Sequence, residues 1–139
     1  ANAQNELKEA LEITAVNTGL NLVMALSYSG RWEILKAVRS IAKAVKEEGL
    51  DPASIDEQIF QQHLSTHAFP DPELMIRTSG EYRISNFLLY QIAYSELYFT
   101  HVLWPDFRKN NLYEAILNYQ KRERRFGKTG DQIKQEEIS

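Results

Sequence analysis

The stretch from Glu73 to Leu89, ELMIRTSGEYRISNFLL, constrains the fold of this chain more than any other. A short apolar strand, Leu74 to Arg77, runs directly into a polar loop that holds two arginines, two serines, a glycine and a glutamate. A second apolar segment begins at Phe87. Strand, polar loop and helix in that order put fixed cations at the carboxyl end of a parallel strand, where open α/β sheets bind ligands. Two guanidiniums beside a flexible glycine suit a polyanion, most simply a phosphate or diphosphate.

The rest of the chain fits an α/β domain. Its 139 residues are enough for one domain with a core. Hydrophobic residues make up 43% and charged residues 25%, an ordinary globular balance. The formal net charge of −3 gives no global positive field, so nucleic acid is not an expected partner and any anion site is local. There are no cysteines, which excludes disulfides, thiolate metal sites and cysteine nucleophiles and is compatible with a cytoplasmic location. No apolar run is long enough to span a bilayer. The opening Ala1-Asn2-Ala3 is consistent with a tag remnant and carries no weight.

Apolar periodicity predicts a first helix over residues 3–17, stopped by Gly19. Leu20 to Leu26 reads as a buried strand. The small-residue turn Ser27-Tyr28-Ser29-Gly30-Arg31 then opens a helix with Ile34, Leu35, Val38, Ile41, Ala42 and Val45 on one face, ending at Gly49. Ser54 or Asp51 caps a short helix around Ile55 to Leu64. Leu74 to Arg77 is a second strand and Leu97-Tyr98-Phe99 a third. Phe87 to Tyr94 is too short to classify by period alone. Leu112, Ala115, Ile116 and Tyr119 mark a last helix, and residues 128–139 read as a flexible tail. Strands alternating with helices imply a parallel sheet flanked by helices. So few strands suggest a single, partial domain, the back part of a larger one.

Several groups are candidates for chemistry. Arg77, Arg83 and Ser85 match the oxygens of a diphosphate; alternatively one arginine pairs with Glu81 and the other faces solvent. Glu96 is either a buried ion-pair partner, the commoner role, or a Mg²⁺ ligand near phosphates. Arg122, Arg124 and Arg125 complement a helix C-terminus, or reach a phosphate if Gly127 lets the tail fold back. The amides of Ser29-Gly30-Arg31-Trp32 form a weak anion-site candidate. His63 and His67 lie four apart, but no HExxH pattern surrounds them, so a solvent-facing pair is expected. Tyr90, Tyr94, Tyr98, Phe99 and Trp104 read as core.

Taken together, these motifs resemble the cis-prenyltransferases, the undecaprenyl (polyprenyl) diphosphate synthases. Residues 76–91 are similar to their signature IRTxGExRxSNFLxxQ, and the likeness continues through Ala93-Tyr94-Ser95-Glu96-Leu97-Tyr98-Phe99 to Trp104-Pro105-Asp106. Tyr28-Ser29-Gly30-Arg31-Trp32 is similar to the YGGR segment, with Ser29 at a position where glycine is common. Arg125-Phe126-Gly127 resembles the C-terminal RxG motif, and Asn17-Thr18-Gly19 also fits.

The resemblance implies a parallel sheet flanked by helices, the C-terminal portion of the cis-prenyltransferase fold, in a homodimer. It implies condensation of isopentenyl diphosphate onto an allylic diphosphate, usually farnesyl, with cis geometry, for a cell-wall lipid carrier. By the same resemblance Arg77, Arg83 and Ser85 hold the diphosphate of isopentenyl diphosphate, and Glu96 helps hold Mg²⁺. Arg125 and Gly127 reach a diphosphate in the partner's site, while Glu81 supports the metal or orients Arg83. Tyr82 has no metal role. The family's DGNxRxA loop, with its essential aspartate, and its FSxENxxR-type segment do not occur in this sequence. The expectation is therefore a C-terminal fragment without a catalytic residue of its own and inactive alone. The rival expectation is a non-catalytic partner subunit of a heteromeric enzyme. A cytoplasmic protein is implied, with peripheral contact at the inner face of the membrane through its lipid product.

Overall fold

A computed structural model describes residues 2–122. The predicted tail at 128–139, and Arg124, Arg125 and Gly127, lie outside the described residues. Among the described residues four α-helices and two strands follow one another as α1 (Asn2–Thr14), α2 (Gly30–Glu47), α3 (Glu57–Gln62), β1 (Leu74–Arg77), β2 (Glu96–Phe99) and α4 (Lys109–Gln120). Two 3₁₀ turns, Pro52–Ser54 and Trp104–Asp106, stand before α3 and α4.

The strands pair in parallel, Leu74 opposite Glu96 and Arg77 opposite Phe99. Arg77 thus ends β1 at the carboxyl edge of the sheet, as the sequence predicts, and Glu96 starts β2 at the other edge. α4 packs on β2, and α3 packs on α2.

α2 is anchored by residues spaced three and four apart. Gly30, Glu33, Ala37, Ile41 and Ala44 are buried. The predicted face is therefore rotated: Ile41 is buried, but Leu35 and Val38 are 54% and 50% exposed. The helix carries apolar residues on more than one side, so periodicity alone did not select the side that packs. Caps are local. Asp51 accepts from the Ala53 amide at the 3₁₀ turn, and it is Asp56, not Ser54 or Asp51, that caps α3 by accepting from the Ile59 amide.

Two expectations fail. Leu20 to Leu26 belongs to no strand, and Leu20, Leu22, Val23, Met24 and Leu26 are all exposed. A strand needs an edge to pair with, and this segment pairs with neither β1 nor β2. Phe87 to Tyr94 is a series of turns rather than a helix. Ser85, Asn86 and Leu88 have φ of +49°, +62° and +45°, which breaks a right-handed helix before it starts. Among the described residues the core is thin: Ala37, Ile41, Ala44, Leu64, Met75, Ile92 and Ala115.

Candidate functional site

The polar loop after β1 is held at its front, middle and rear. At its front, the amides of Ser79 and Gly80 donate to the carbonyls of Val102 and Thr100, 2.9 Å each, continuing the strand pairing past β2. Gly80 is required there: its φ is +67°, and a Cβ would come within 2.9 Å of the His101 ring. In the middle, the Tyr82 ring lies 5.3 Å from Phe99, and its hydroxyl is 3.3 Å from His101 Nε2. At the rear, Asn86 binds the start of α2. A loop tied in this way presents its side chains from a defined frame.

Arg77 is half-buried, and its Nε is buried without a hydrogen-bond partner among the described residues. It lines two clefts. One, of about 200 Å³, is walled by β1 together with Ile84, Phe87, Leu88 and Ile92. The other, of about 700 Å³, adds Thr78, Trp104, Phe107, Arg108 and Lys109. Arg77 thus stands at the strand end as a cation whose donors are not all used internally. Arg83 and Ser85 are exposed on the loop. Arg83 Nη1 sits 2.5 Å from Glu81 Oε2, with side chains 64% and 39% exposed. The pairing of one arginine with Glu81, the plainer of the two sequence readings, therefore exists, and it is a surface pair.

Glu96 is not brought to this loop. It starts β2, three residue steps from the level of Arg77, or about 10 Å along the strand. Its carboxylate accepts from Arg122 Nη1 at 2.7 Å. The same nitrogen donates to the Leu97 carbonyl at 3.0 Å, and Nε donates to Asn118 Oδ1. Arg122 thereby ties the end of α4 to the start of β2. Among the described residues no group of three acidic, histidine or cysteine side chains could hold a metal. Glu96, engaged by a guanidinium and remote from Arg77, does not by itself fit Mg²⁺. His63 and His67 turn to different partners, Ser40 Oγ and the Leu64 carbonyl.

The predicted anion site at the start of α2 is already filled. The Gly30 amide donates to the Asn86 carbonyl (2.8 Å), the Arg31 amide to Asn86 Oδ1 (3.0 Å), and the Trp32 amide to Ser29 Oγ (3.4 Å).

Sequence reasoning also missed a buried carboxylate. Glu33 is 2% exposed and accepts from the Tyr28 hydroxyl, from the Ser65 amide and hydroxyl, and from Gln91 Nε2. Burial pushes its carboxyl up, but the hydrogen bonds from Gln91, Ser65 and Tyr28 outweigh that and hold it below the ordinary value. Burial, then the hydrogen bond to Glu33 and its charge, push the Tyr28 phenol up, so it remains a neutral donor. The one available signal was a glutamate on the helix side that otherwise carries Gly30, Ala37 and Ile41.

The fold and the loop together define an α/β domain with an arginine at the carboxyl end of a parallel strand. Residues 1–127 match the family described as "Putative undecaprenyl diphosphate synthase". The chain is 59% identical over 132 residues to the isoprenyl transferase of Chlorobaculum tepidum, covering 95% of this chain and 50% of that protein. It is 50% identical to the (2E,6E)-farnesyl-diphosphate-specific ditrans,polycis-undecaprenyl-diphosphate synthase of Vibrio cholerae, covering 94% and 52%. The solved lavandulyl diphosphate synthase of Lavandula x intermedia superposes with a TM-score of 0.83 at 40% identity, over 90% of this chain and 54% of that one. A probable undecaprenyl diphosphate synthase from Campylobacter jejuni gives a TM-score of 0.71 at 34% identity, over 91% and 57%. The chain belongs to the cis-prenyltransferase (undecaprenyl diphosphate synthase) family. It spans about half the length of the curated relatives it matches.

Proposed function

We propose that this chain is the C-terminal half of a cis-polyprenyl diphosphate synthase. Its strand-end loop grips the diphosphate of isopentenyl diphosphate through Arg77, Arg83 and Ser85. The observation that carries this reading is Arg77, at the carboxyl end of a parallel strand with a buried, unpartnered Nε, followed by a loop pinned at front, middle and rear. Diphosphate oxygens are the acceptors that a guanidinium at a strand end suits best. Arg83 exchanges Glu81 for a phosphate at small cost, because exposed ion pairs contribute only about 0–1 kcal/mol. In the free state Glu81 keeps the Arg83 guanidinium oriented.

In the complete enzyme, C4 of isopentenyl diphosphate attacks the allylic carbon as the allylic diphosphate leaves. A proton is then lost from C2, leaving a cis alkene. The task of this chain is to bind and orient the attacking substrate and to offset its negative charge, the dominant contribution where charge moves. The allylic primer is farnesyl diphosphate, as in the name of the Vibrio relative, and the product is a lipid carrier met at the membrane surface. The enzyme is a cytoplasmic homodimer in which Arg125 and Gly127 of one copy serve the other's site. Mg²⁺ in the complete enzyme would supply neutralisation of the diphosphate oxygens.

Titration of isopentenyl diphosphate into the complete enzyme tests the grip. Arg77→Ala and Arg83→Ala are each expected to weaken binding about 10- to 100-fold, since a hydrogen bond to a charged group contributes roughly 1.5–3 kcal/mol. Binding curves that coincide with those of the unaltered enzyme would refute the assignment.

A further inference from the structure

An α-helix begins with amides that have no partner inside the helix, and these commonly bind an anion. In α2 the Gly30 and Arg31 amides are both taken by one residue, Asn86, through its carbonyl and its Oδ1. Asn86 Nδ2 then donates to Ser29 Oγ at 2.8 Å, the oxygen that caps the Trp32 amide. Asn86 occupies the place an anion would take and uses both its side-chain oxygen and its side-chain nitrogen to do so. The grip requires φ of +62° at Asn86, a left-handed conformation that asparagine tolerates better than most residues. It also comes with φ of +49° at the adjacent Ser85.

The approach is tight. A Cβ on Gly30 would lie 2.9 Å from Leu89 Cγ and 3.0 Å from the Asn86 carbonyl oxygen, so only glycine lets the helix end meet this turn. The front and middle of the loop are held separately, by Val102, Thr100, Phe99 and His101. Releasing Asn86 would therefore free the rear of the loop, Arg83 to Ser85, without detaching the strand end.

We infer that Asn86 is a positioning residue for diphosphate binding: latched to the start of α2 with Ser29, it sets Ser85 and Arg83 where they meet the substrate. This rests on the proposed role of the loop and concerns a residue that itself touches no substrate. The assay is steady-state kinetics of the complete enzyme with isopentenyl and farnesyl diphosphates. Asn86→Gly keeps the carbonyl and the backbone conformation and removes both side-chain bonds. It is expected to raise KM for isopentenyl diphosphate about tenfold and leave KM for farnesyl diphosphate within about twofold, the scale of two lost hydrogen bonds. Ser29→Ala, which removes the bond to Asn86 and also the Trp32 cap, is expected to raise the same KM about threefold, the scale of the one bond lost to Asn86, and Ser29→Thr, which keeps a hydroxyl, to restore it. An unchanged KM for isopentenyl diphosphate, or equal rises in both constants, overturns the inference. If Asn86→Gly does not fold, the Ser29 pair decides by the same criterion. Arg83→Ala measured in parallel separates the two ideas. If it too leaves KM unchanged, the diphosphate reading falls; if it raises KM while Asn86→Gly does not, only the latch falls.

Discussion

Glu33 is the most consequential single side chain that the motifs did not single out. Among the described residues Glu33 has no cationic partner, and a buried carboxylate of that kind persists only when its oxygens are hydrogen-bonded. Tyr28, Ser65 and Gln91 do this from three different parts of the chain. Because its folded carboxyl titrates below the ordinary value, Glu33 contributes stability that is present above that value and is lost as pH falls through the lowered one. Glu33→Gln is expected to lower stability at neutral pH by about 1–3 kcal/mol and to flatten its acid dependence below roughly pH 4.5. Urea unfolding between pH 3 and pH 7 reads both effects; parallel pH profiles for the two proteins would contradict the assignment. Arg77 and Arg83 show the opposite situation. Their placement, at the end of β1 and on the loop after it, was legible in the sequence because strand and loop are local, whereas the burial of a glutamate among helix residues is not.

At the level of elements, the loop after β1 and the start of α2 depend on two glycines for different reasons. Gly80 needs its left-handed φ, and alanine there is expected to cost about 1–2 kcal/mol from backbone conformation, besides displacing His101 from Tyr82. Gly30 has no such φ but meets the backbone of Asn86 and Leu89. Gly30→Ala is expected to cost about 1–3 kcal/mol through overpacking against atoms that cannot rotate away. Thermal denaturation measures both; a neutral Gly30→Ala would show that the helix and the turn are not in contact. β1 fell where the apolar run predicted it, and α4 buried Ala115 and half-buried Ile116 and Tyr119, but left Leu112 of the same predicted face exposed. Phe87 to Tyr94 did not become a helix, because the left-handed turns that hold Asn86 to α2 are a tertiary demand.

For the whole molecule, the proportion of surface to core is the governing quantity. A two-stranded sheet is marginal by itself, and the apolar segment from Leu20 to Leu26 is exposed along its length. Exposed apolar surface of this kind favours association. This chain, prepared alone, is expected to associate in solution and to give no product from isopentenyl and farnesyl diphosphates. Sedimentation and a radiolabelled product assay test the two statements. A strictly monomeric mass at high concentration removes the first, and turnover by the purified chain removes the second.

The sequence by itself determined the parallel strand, the cations at its carboxyl end and the family, because these are local: an apolar run, a polar loop and an ordered motif are read along the chain. Which side of α2 is buried, whether Leu20 to Leu26 finds an edge, that Glu96 turns to Arg122, and that Asn86 fills the start of α2 were decided by the tertiary structure alone. Each depends on a partner distant in sequence or on an edge that is not available; Glu96 and Arg122 are 26 residues apart and Arg31 and Asn86 are 55 apart. Spacing along a chain carries no record of such distances.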